Sequence, residues 1–246
     1  MEALAVSELL FFGIVIVLSY AIRGDTGFGG VTVPLLAWIL SLKTIAPMVT
    51  FLGLLSSAAI LARDHRRVVW RDALRILPAC LGGVLLGLYF FTTLDARTLA
   101  FALGLFVLLY GAHALRATFR PRPDSRLPLR LVVPAIGATA GFVGTLFGAN
   151  AGMFFAIYLD LLKLGKHEFR ATVAAILFAL GVFRGTGYLA VGAFDREALI
   201  ACAAALPLMA VGILIGNRIH ARLDQVAFQR FVALVLIASG VPLVLR

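Results

Sequence analysis

The chain has 246 residues, of which 62% are hydrophobic and 14% charged, with a formal net charge of +10 and a mean hydropathy of +1.03. A soluble domain carries roughly 25% charged residues, and several apolar runs here approach the ~20 residues that cross a bilayer, so a water-soluble globular fold is excluded. The excess arginine lies in loops between apolar runs, the pattern of cytoplasmic loops in membrane proteins, which argues against a nucleic-acid partner.

Residues 8–22 form the first apolar run, about 15 residues or roughly 22 Å as helix, short for a ~30 Å hydrocarbon core. Glu2 and Glu8 flank it, with no basic segment and no small-residue cleavage site before it, so no cleavable leader is expected. Arg23-Gly24-Asp25-Thr26-Gly27-Phe28-Gly29-Gly30 follows, with Pro34 behind it and a second short run at 31–41. As one helix, 8–41 would reach about 50 Å, too long for a plain crossing, and the glycines let the backbone leave helical geometry. The stretch predicts a re-entrant hairpin: two half-length helices that enter the membrane, turn at a glycine-rich tip and return. Runs at 45–62, 76–91 and 98–115 predict three transmembrane helices. The first two are joined by a strongly basic loop, Arg63, His65, Arg66, Arg67, Arg71 and Arg75, expected in the cytoplasm. Asp95 and Arg97 mark a short near-neutral loop.

Arg116 to Arg130 is the longest polar segment, and its Pro121, Pro123 and Pro128 among charges mark a linker. The division is repeat 1 over 1–117, a cytoplasmic linker over 118–129, and repeat 2 over 130–246. In the second half, 131–147 leads to a tip at Gly148-Ala149-Asn150-Ala151-Gly152 and 151–162 leads away. Lys163, Lys166, His167, Glu168 and Arg170 mark a membrane surface, and 171–193, 198–216 and 226–245 are three further spans. Adding 129 to Pro78, Gly83, Gly87, Leu94, Asp95 and Gly111 reaches Pro207, Gly212, Gly216, Leu223, Asp224 and Gly240, identical in each case. Loop charges alternate between the halves: basic 62–75 corresponds to slightly acidic 192–197, and neutral 92–97 to basic 217–224. If basic loops stay inside, the halves have opposite orientations and both termini lie outside. The predicted fold is an all-α polytopic membrane protein of two inverted repeats, each a broken helical hairpin with a Gly-rich tip plus three transmembrane helices.

Two broken apolar segments at matching places in two halves point to a transporter's binding site. A helix is expected to begin after each tip, at about Gly29 and about Ala151, so that free N–H groups and the positive end of the helix dipole face the tips. Such N-termini bind oxyanions. The candidate substrate-binding residues are Arg23, Asp25, Thr26, Gly27, Phe28, Gly29 and Gly30 at the first tip, and Thr145, Gly148, Ala149, Asn150, Ala151 and Gly152 at the second. Arg184, in the middle of a long apolar run, completes the set. Thr26, Thr145 and Asn150 would add side-chain hydrogen bonds. Arg23, expected near the hydrocarbon centre, either forks onto the anion or pairs with Asp25. Asp25 is read first as that structural partner and second as a proton-coupling carboxylate. Arg184 either lines the pathway or pairs within the bundle, and Phe28 either gates the site or packs. Arg170 is expected to snorkel, His113 to be structural, and Gly82, Gly83 and Gly87 to allow close helix contact. Cys80 and Cys202 lie in apolar runs without nearby His, so no disulfide, metal or cofactor is expected. No HExxH, paired catalytic aspartates or Ser/His pairing at the tips suggests an enzyme. The competing class is an anion channel or membrane scaffold.

Gly24-x2-Gly27-Phe28-Gly29-Gly30 with Pro34, Gly148-Ala149-Asn150-Ala151-Gly152 with Tyr158-Leu159, and Phe169-Arg170-Ala171-Thr172 resemble the paired motifs of the TauE/SafE sulfite exporter family, over nearly the whole chain. Where members of that family often carry a further Gly or Gly-Pro-Pro in the second motif, this chain has Asn150-Ala151-Gly152. The resemblance implies a multi-pass transporter of a bacterial inner membrane that exports sulfite, organosulfonates or related small anions. Its partners would be that anion and the lipid bilayer, and a homodimer is compatible with it.

Overall fold

The structure, a computed structural model, describes residues 5–26, 31–119, 129–148, 154, 155, 158, 164–218 and 225–245. Regular structure among them is helical throughout: α1 (Val6–Thr26), α2 (Thr32–Leu36), α3 (Leu42–Asp64), α4 (Trp70–Thr93), α5 (Ala96–Ala117), α6 (Leu129–Phe147), α7 (Lys166–Ala190), α8 (Arg196–Arg218) and α9 (Gln225–Leu245). A 3-10 turn at His65–Arg67 joins α3 to α4. Five described helices are long and apolar enough to cross a membrane, Leu42–Arg67, Trp70–Thr93, Ala96–Ala117, His167–Ala190 and Arg196–Gly216. Val6–Ala21, Val132–Phe147 and Arg230–Leu245 are shorter apolar helices. The chain is a multi-pass membrane protein. Leu85, Leu86, Leu109, Leu189 and Leu214 are exposed on the outer faces, where acyl chains rather than water surround them.

Helices run past the ends of their apolar runs, because arginine and lysine are good helix formers and each added residue closes another backbone hydrogen bond. Arg71 and Arg75 therefore lie on the first turns of α4 and not in the basic loop, and Lys166 to Arg170 form the first turn of α7. The descending arms of the hairpins also depart from expectation. α1 continues through Arg23, Gly24, Asp25 and Thr26, so its 21 residues reach about 31 Å; the 19 residues of α6 reach about 28 Å. Neither is half-length. The described helix after the first glycine stretch is short: α2 has 5 residues, Thr32–Leu36, before turns over 37–39, and the expected start at about Gly29 lies outside the described residues. Gly27–Gly30, Ala149–Met153 and most of the linker, 120–128, lie outside the described residues.

Each descending arm packs on a span of the other half. α6 lies parallel to α4: Gly137 faces Ile76 and Ala79, Gly141 faces Cys80 and Val84, and Gly87 faces Phe142 and Thr145. α1 lies parallel to α8, with Gly212 against Val17 and Tyr20 and Gly216 against Ala21. A methyl group at Gly83 would overlap the Ala138 carbonyl, and one at Gly216 the Ala21 carbonyl, so the close backbone approach needs glycine. Gly82 has open space beside it and plays no such part. Two further pairs are antiparallel. Gly104 faces Gly240 and Leu243 while Gly111 faces Ala233 and Ile237, so α5 and α9 run in opposite directions. Gly181 faces Leu54, and Val68 packs with Ala171 and Ala175, so α3 and α7 oppose as well. These contacts come in matched sets. The offset that carries Gly83 and Gly87 to Gly212 and Gly216 has a counterpart in their partners, since Ala138 and Phe142 lie 121 positions beyond Val17 and Ala21.

α3 and α7 form the centre of the molecule. Ile45, Ala46, Met48, Val49 and Leu52 of α3 are buried, as are Ala171, Ala174, Ile176 and Leu180 of α7. Buried polar side chains line the same two helices: Thr44, Thr50, Ser56 and Ser57 on α3, Thr172 and Arg184 on α7. Ser41 starts α3 by accepting the Lys43 N–H at 3.2 Å, a side-chain cap for a helix end that would otherwise leave that donor unmet.

Candidate functional site

α6 ends at Phe147, and Gly148 leaves the helix with φ of 78°. The last four carbonyls of any helix have no partner within it, and inside a membrane no bulk water meets them. α7 supplies the partners. Arg184 Nη1 donates to the Gly144 carbonyl at 2.6 Å, and the Tyr188 hydroxyl donates to the Thr145 carbonyl. Arg184 Nε also donates to the carbonyl of Leu180 on its own helix, at 3.4 Å. Arg184 is 6% exposed and Tyr188 fully buried, its ring 4.9 Å from that of Phe91. A guanidinium at a helix C-terminus also meets the negative end of the dipole. Arg184 is thus the cap of a helix that stops short inside the bundle.

Gly148 sits against α3. A side chain there would be strained by the left-handed φ, and its Cβ would come within 2.5 Å of Ala46 Cα. Thr50 follows Ala46 by one turn and so shares its face; its hydroxyl lies beside that of Tyr188. The Thr145 hydroxyl donates to the Gly141 carbonyl at 2.7 Å. In this conformation the Thr145 proton is committed to its own helix.

Described residues beyond each glycine stretch pack near the start of the helix before it. Tyr158 donates to the Asp72 carbonyl at 3.1 Å, and Thr172 Oγ1 accepts the Val69 N–H at 3.0 Å. The chain leaving the second tip therefore comes back to the beginning of α4, where α6 also begins. In the first hairpin, the Trp38 indole stacks on Phe11 near the start of α1, with ring centroids 6.1 Å apart, and donates to the Ser239 carbonyl at 3.2 Å. A surface cavity of about 930 Å³ opens beside this return arm, lined by Trp38, Ser41, Arg97, Thr98 and Leu245 among others.

The structure brings together Thr145, Gly148 and Arg184 of the candidate residues. Arg23, Asp25 and Thr26 belong to the last turn of α1. Because Ala21 meets Gly216, Arg23 stands level with Arg218 at the end of α8 rather than near the middle of a span. The physical reason is the continuation of α1 as helix past its apolar run. Gly27, Phe28, Gly29 and Gly30 and Ala149, Asn150, Ala151 and Gly152 lie outside the described residues. The register that takes Val17 to Ala138 takes Arg23 to Gly144, the residue Arg184 caps. His113 and Arg170 are exposed. Tyr188 and Thr50 were not singled out from sequence. The spacing of Arg184 and Tyr188, four residues apart and hence on one helix face, was the available signal for Tyr188. No group of residues suited to a metal ion exists among the described residues.

A family model described as sulfite exporter TauE/SafE matches residues 9–243. The chain is 31% identical over 188 residues to the probable inner membrane transporter protein TsaS of Comamonas testosteroni, covering 73% of this chain and 74% of that protein. It is 27% identical over 231 residues to the probable sulfite/organosulfonate exporter TauE of Cupriavidus necator, covering 89% of this chain and 87% of that protein. No solved structure matches.

Proposed function

Since the chain belongs to the sulfite exporter TauE/SafE family, we propose that it is a secondary transporter of a bacterial inner membrane that exports small oxyanions of the sulfite or organosulfonate class. The anion binds between the two glycine-tipped hairpins and crosses by alternating access of the two halves. The observation that carries this reading is the second tip. A buried guanidinium holds the end of a helix that breaks within the bundle, directly before a glycine in the left-handed region. Irregular backbone at membrane depth survives only beside protein or a wet cavity, and an ionisable side chain within a span marks function by default.

The antiparallel packing of α5 on α9 and of α3 on α7 supports opposite orientations of the halves, because equivalent helices that oppose one another cross the bilayer in opposite directions. In this reading each half contributes one arginine to the anion's path, at different points along it. Arg184 comes from the core helix in the second half, and Arg23 comes from the descending arm in the first. Backbone N–H groups of Gly27 to Gly30 and Gly148 to Gly152 supply neutral donors, with Asn150 and Thr26 beside them. Arg23 gives a bidentate fork to the anion and Asp25 balances its charge.

The test is uptake and efflux of radiolabelled sulfite by purified protein in proteoliposomes, for Arg23→Lys, Arg23→Gln and the double variant Arg23→Gln with Asp25→Asn. Arg23→Lys is expected to lose part of the affinity and Arg23→Gln most of it, with intact folding. Recovery in the double variant would mean that Arg23 serves only Asp25. Flux that does not saturate and follows membrane potential alone would indicate an anion channel instead.

A further inference from the structure

We propose that the outer face of α4 is a binding site for an anionic phospholipid, its phosphate held by Arg71 and Arg75 and one acyl chain lying over Gly82. The proposal needs only that the chain spans a membrane and does not rest on the transport reading. α4 buries Ala73, Ile76, Cys80, Gly83 and Gly87. Arg71, Arg75, Pro78 and Gly82 follow one another at intervals of four, three and four, so they share a stripe. All four are exposed, on the face turned away from the bundle and toward lipid. Two arginines one turn apart have Cβ atoms about 5–6 Å from each other, a spacing at which both guanidiniums reach one phosphate. Among the described residues neither guanidinium has a hydrogen-bond or ion-pair partner. Tyr158 lies within electrostatic reach of Arg75 and of the Asp72 carboxylate, which is off this stripe.

The depths match a lipid. Arg71 and Arg75 occupy the first two turns of α4, beside Trp70, which is 52% exposed, and the basic turn His65–Arg67. Exposed tryptophan and arginine at a helix end mark the headgroup level. Gly82 lies about 10 Å beyond Arg75 along the helix, within the ~15 Å that one leaflet contributes to the hydrocarbon core. A methyl group at Gly82 would meet nothing within 4 Å, so packing within the protein does not call for glycine there. Its missing side chain leaves a shallow groove bordered by the exposed Leu85 and Leu86. The internal repeat isolates the feature. The offset of 129 that carries Pro78 and Gly83 to Pro207 and Gly212 carries Arg71, Arg75 and Gly82 to Ile200, Ala204 and Val211. The shared fold therefore requires neither the two cations nor the extra glycine. A net-negative phospholipid headgroup is attracted to such a pair, whereas the ammonium of a zwitterionic headgroup offsets the attraction.

The experiment measures quenching of Trp70 fluorescence by brominated phosphatidylglycerol, present as a minor component of phosphatidylcholine vesicles that hold the full-length protein. A Trp38→Phe background leaves Trp70 as the sole tryptophan. Brominated phosphatidylcholine at the same share reports random contact. Phosphatidylglycerol is expected to quench as though enriched about tenfold beside Trp70. Arg71→Gln with Arg75→Gln should return quenching to the random level. Arg63→Gln with Arg66→Gln, which removes equal charge from the neighbouring segment, should keep most of the enrichment, and Gly82→Leu should reduce it. Phosphatidylglycerol retained through detergent purification, counted by mass spectrometry without the Trp38 substitution, should follow the same order. Equal quenching by the two brominated lipids overturns the proposal. So does equal loss in the two double variants, which would indicate a diffuse basic surface. Unchanged quenching in Gly82→Leu overturns the placement of the acyl chain.

Discussion

A guanidinium inside a membrane bundle is unfavourable unless neighbours take up its charge, and Arg184 meets that requirement by capping a helix that ends beside it. Removing it strands the Gly144 carbonyl. Arg184→Leu and Tyr188→Phe should each lower stability by roughly 1–3 kcal/mol, the cost of an unmet buried acceptor. Gly148→Ala should lower it by a similar ~1–3 kcal/mol through left-handed strain, aggravated by contact with Ala46. Melting of the purified variants in detergent checks all three, and a neutral Tyr188→Phe would show that the Thr145 carbonyl finds another donor. Asp95, in the short connection between α4 and α5, offers a second test. The Thr98 hydroxyl, followed by backbone amides, holds its carboxyl below the ordinary value of 3.8. A lowered folded-state value means that the carboxylate contributes stability above pH 3.8 and loses it as pH falls through the folded value. Thr98→Ala should move the Asp95 titration upward toward 3.8, as read by carboxylate infrared absorption. Arg184 was conspicuous in the sequence as a lone charge in an apolar run, with lining the pathway and pairing within the bundle both left open. Its partner was not, since the Gly144 acceptor is backbone, and Thr50 looked like any small polar residue in a long span.

At the scale of elements, the glycines divide into those that carry packing and those that do not. Gly83 and Gly212 meet opposing backbone, whereas Gly82 faces open space. Gly83→Leu and Gly212→Leu should each push an arm off its span and abolish a monodisperse gel-filtration peak, while Gly82→Leu should leave the peak intact. Equal tolerance of all three would contradict the arm-on-span packing. The sequence made these glycines conspicuous through the shared Pro78 and Pro207 spacing, but it could not separate Gly82 from Gly83, because one residue of helical rotation decides which faces a neighbour. The arms were legible as apolar runs ending in glycine. Their length was not, since hydropathy ends near Ile22 while helical hydrogen bonding continues to Thr26.

For the whole molecule, the proposed inversion fixes where the ends must be. Both termini should be reached by a membrane-impermeant thiol reagent from outside, using cysteines introduced at Val6 and Leu245, while one introduced at Arg66 should be protected in sealed cells. A cytoplasmic C-terminus would refute the arrangement. The alternation of loop charge is the sequence feature from which this orientation is expected. The exchange of arms between halves was not readable, because the sequence offset says which positions are equivalent and not which ones touch.

That exchange has a consequence for how the chain is made. Trp38 of the first hairpin closes on Ser239, 201 positions later, and α1 waits for α8 in the same way. At ~5–20 residues per second, the first hairpin enters the bilayer on the order of 10–40 s before its seat exists. During that interval α1 lies in the membrane without the wall that α8 gives it in the finished protein. Late synthesis, rather than insertion, therefore decides the yield. Nascent chains stalled before residue 196 should remain open to protease at the first tip, and chains released beyond residue 245 should become resistant.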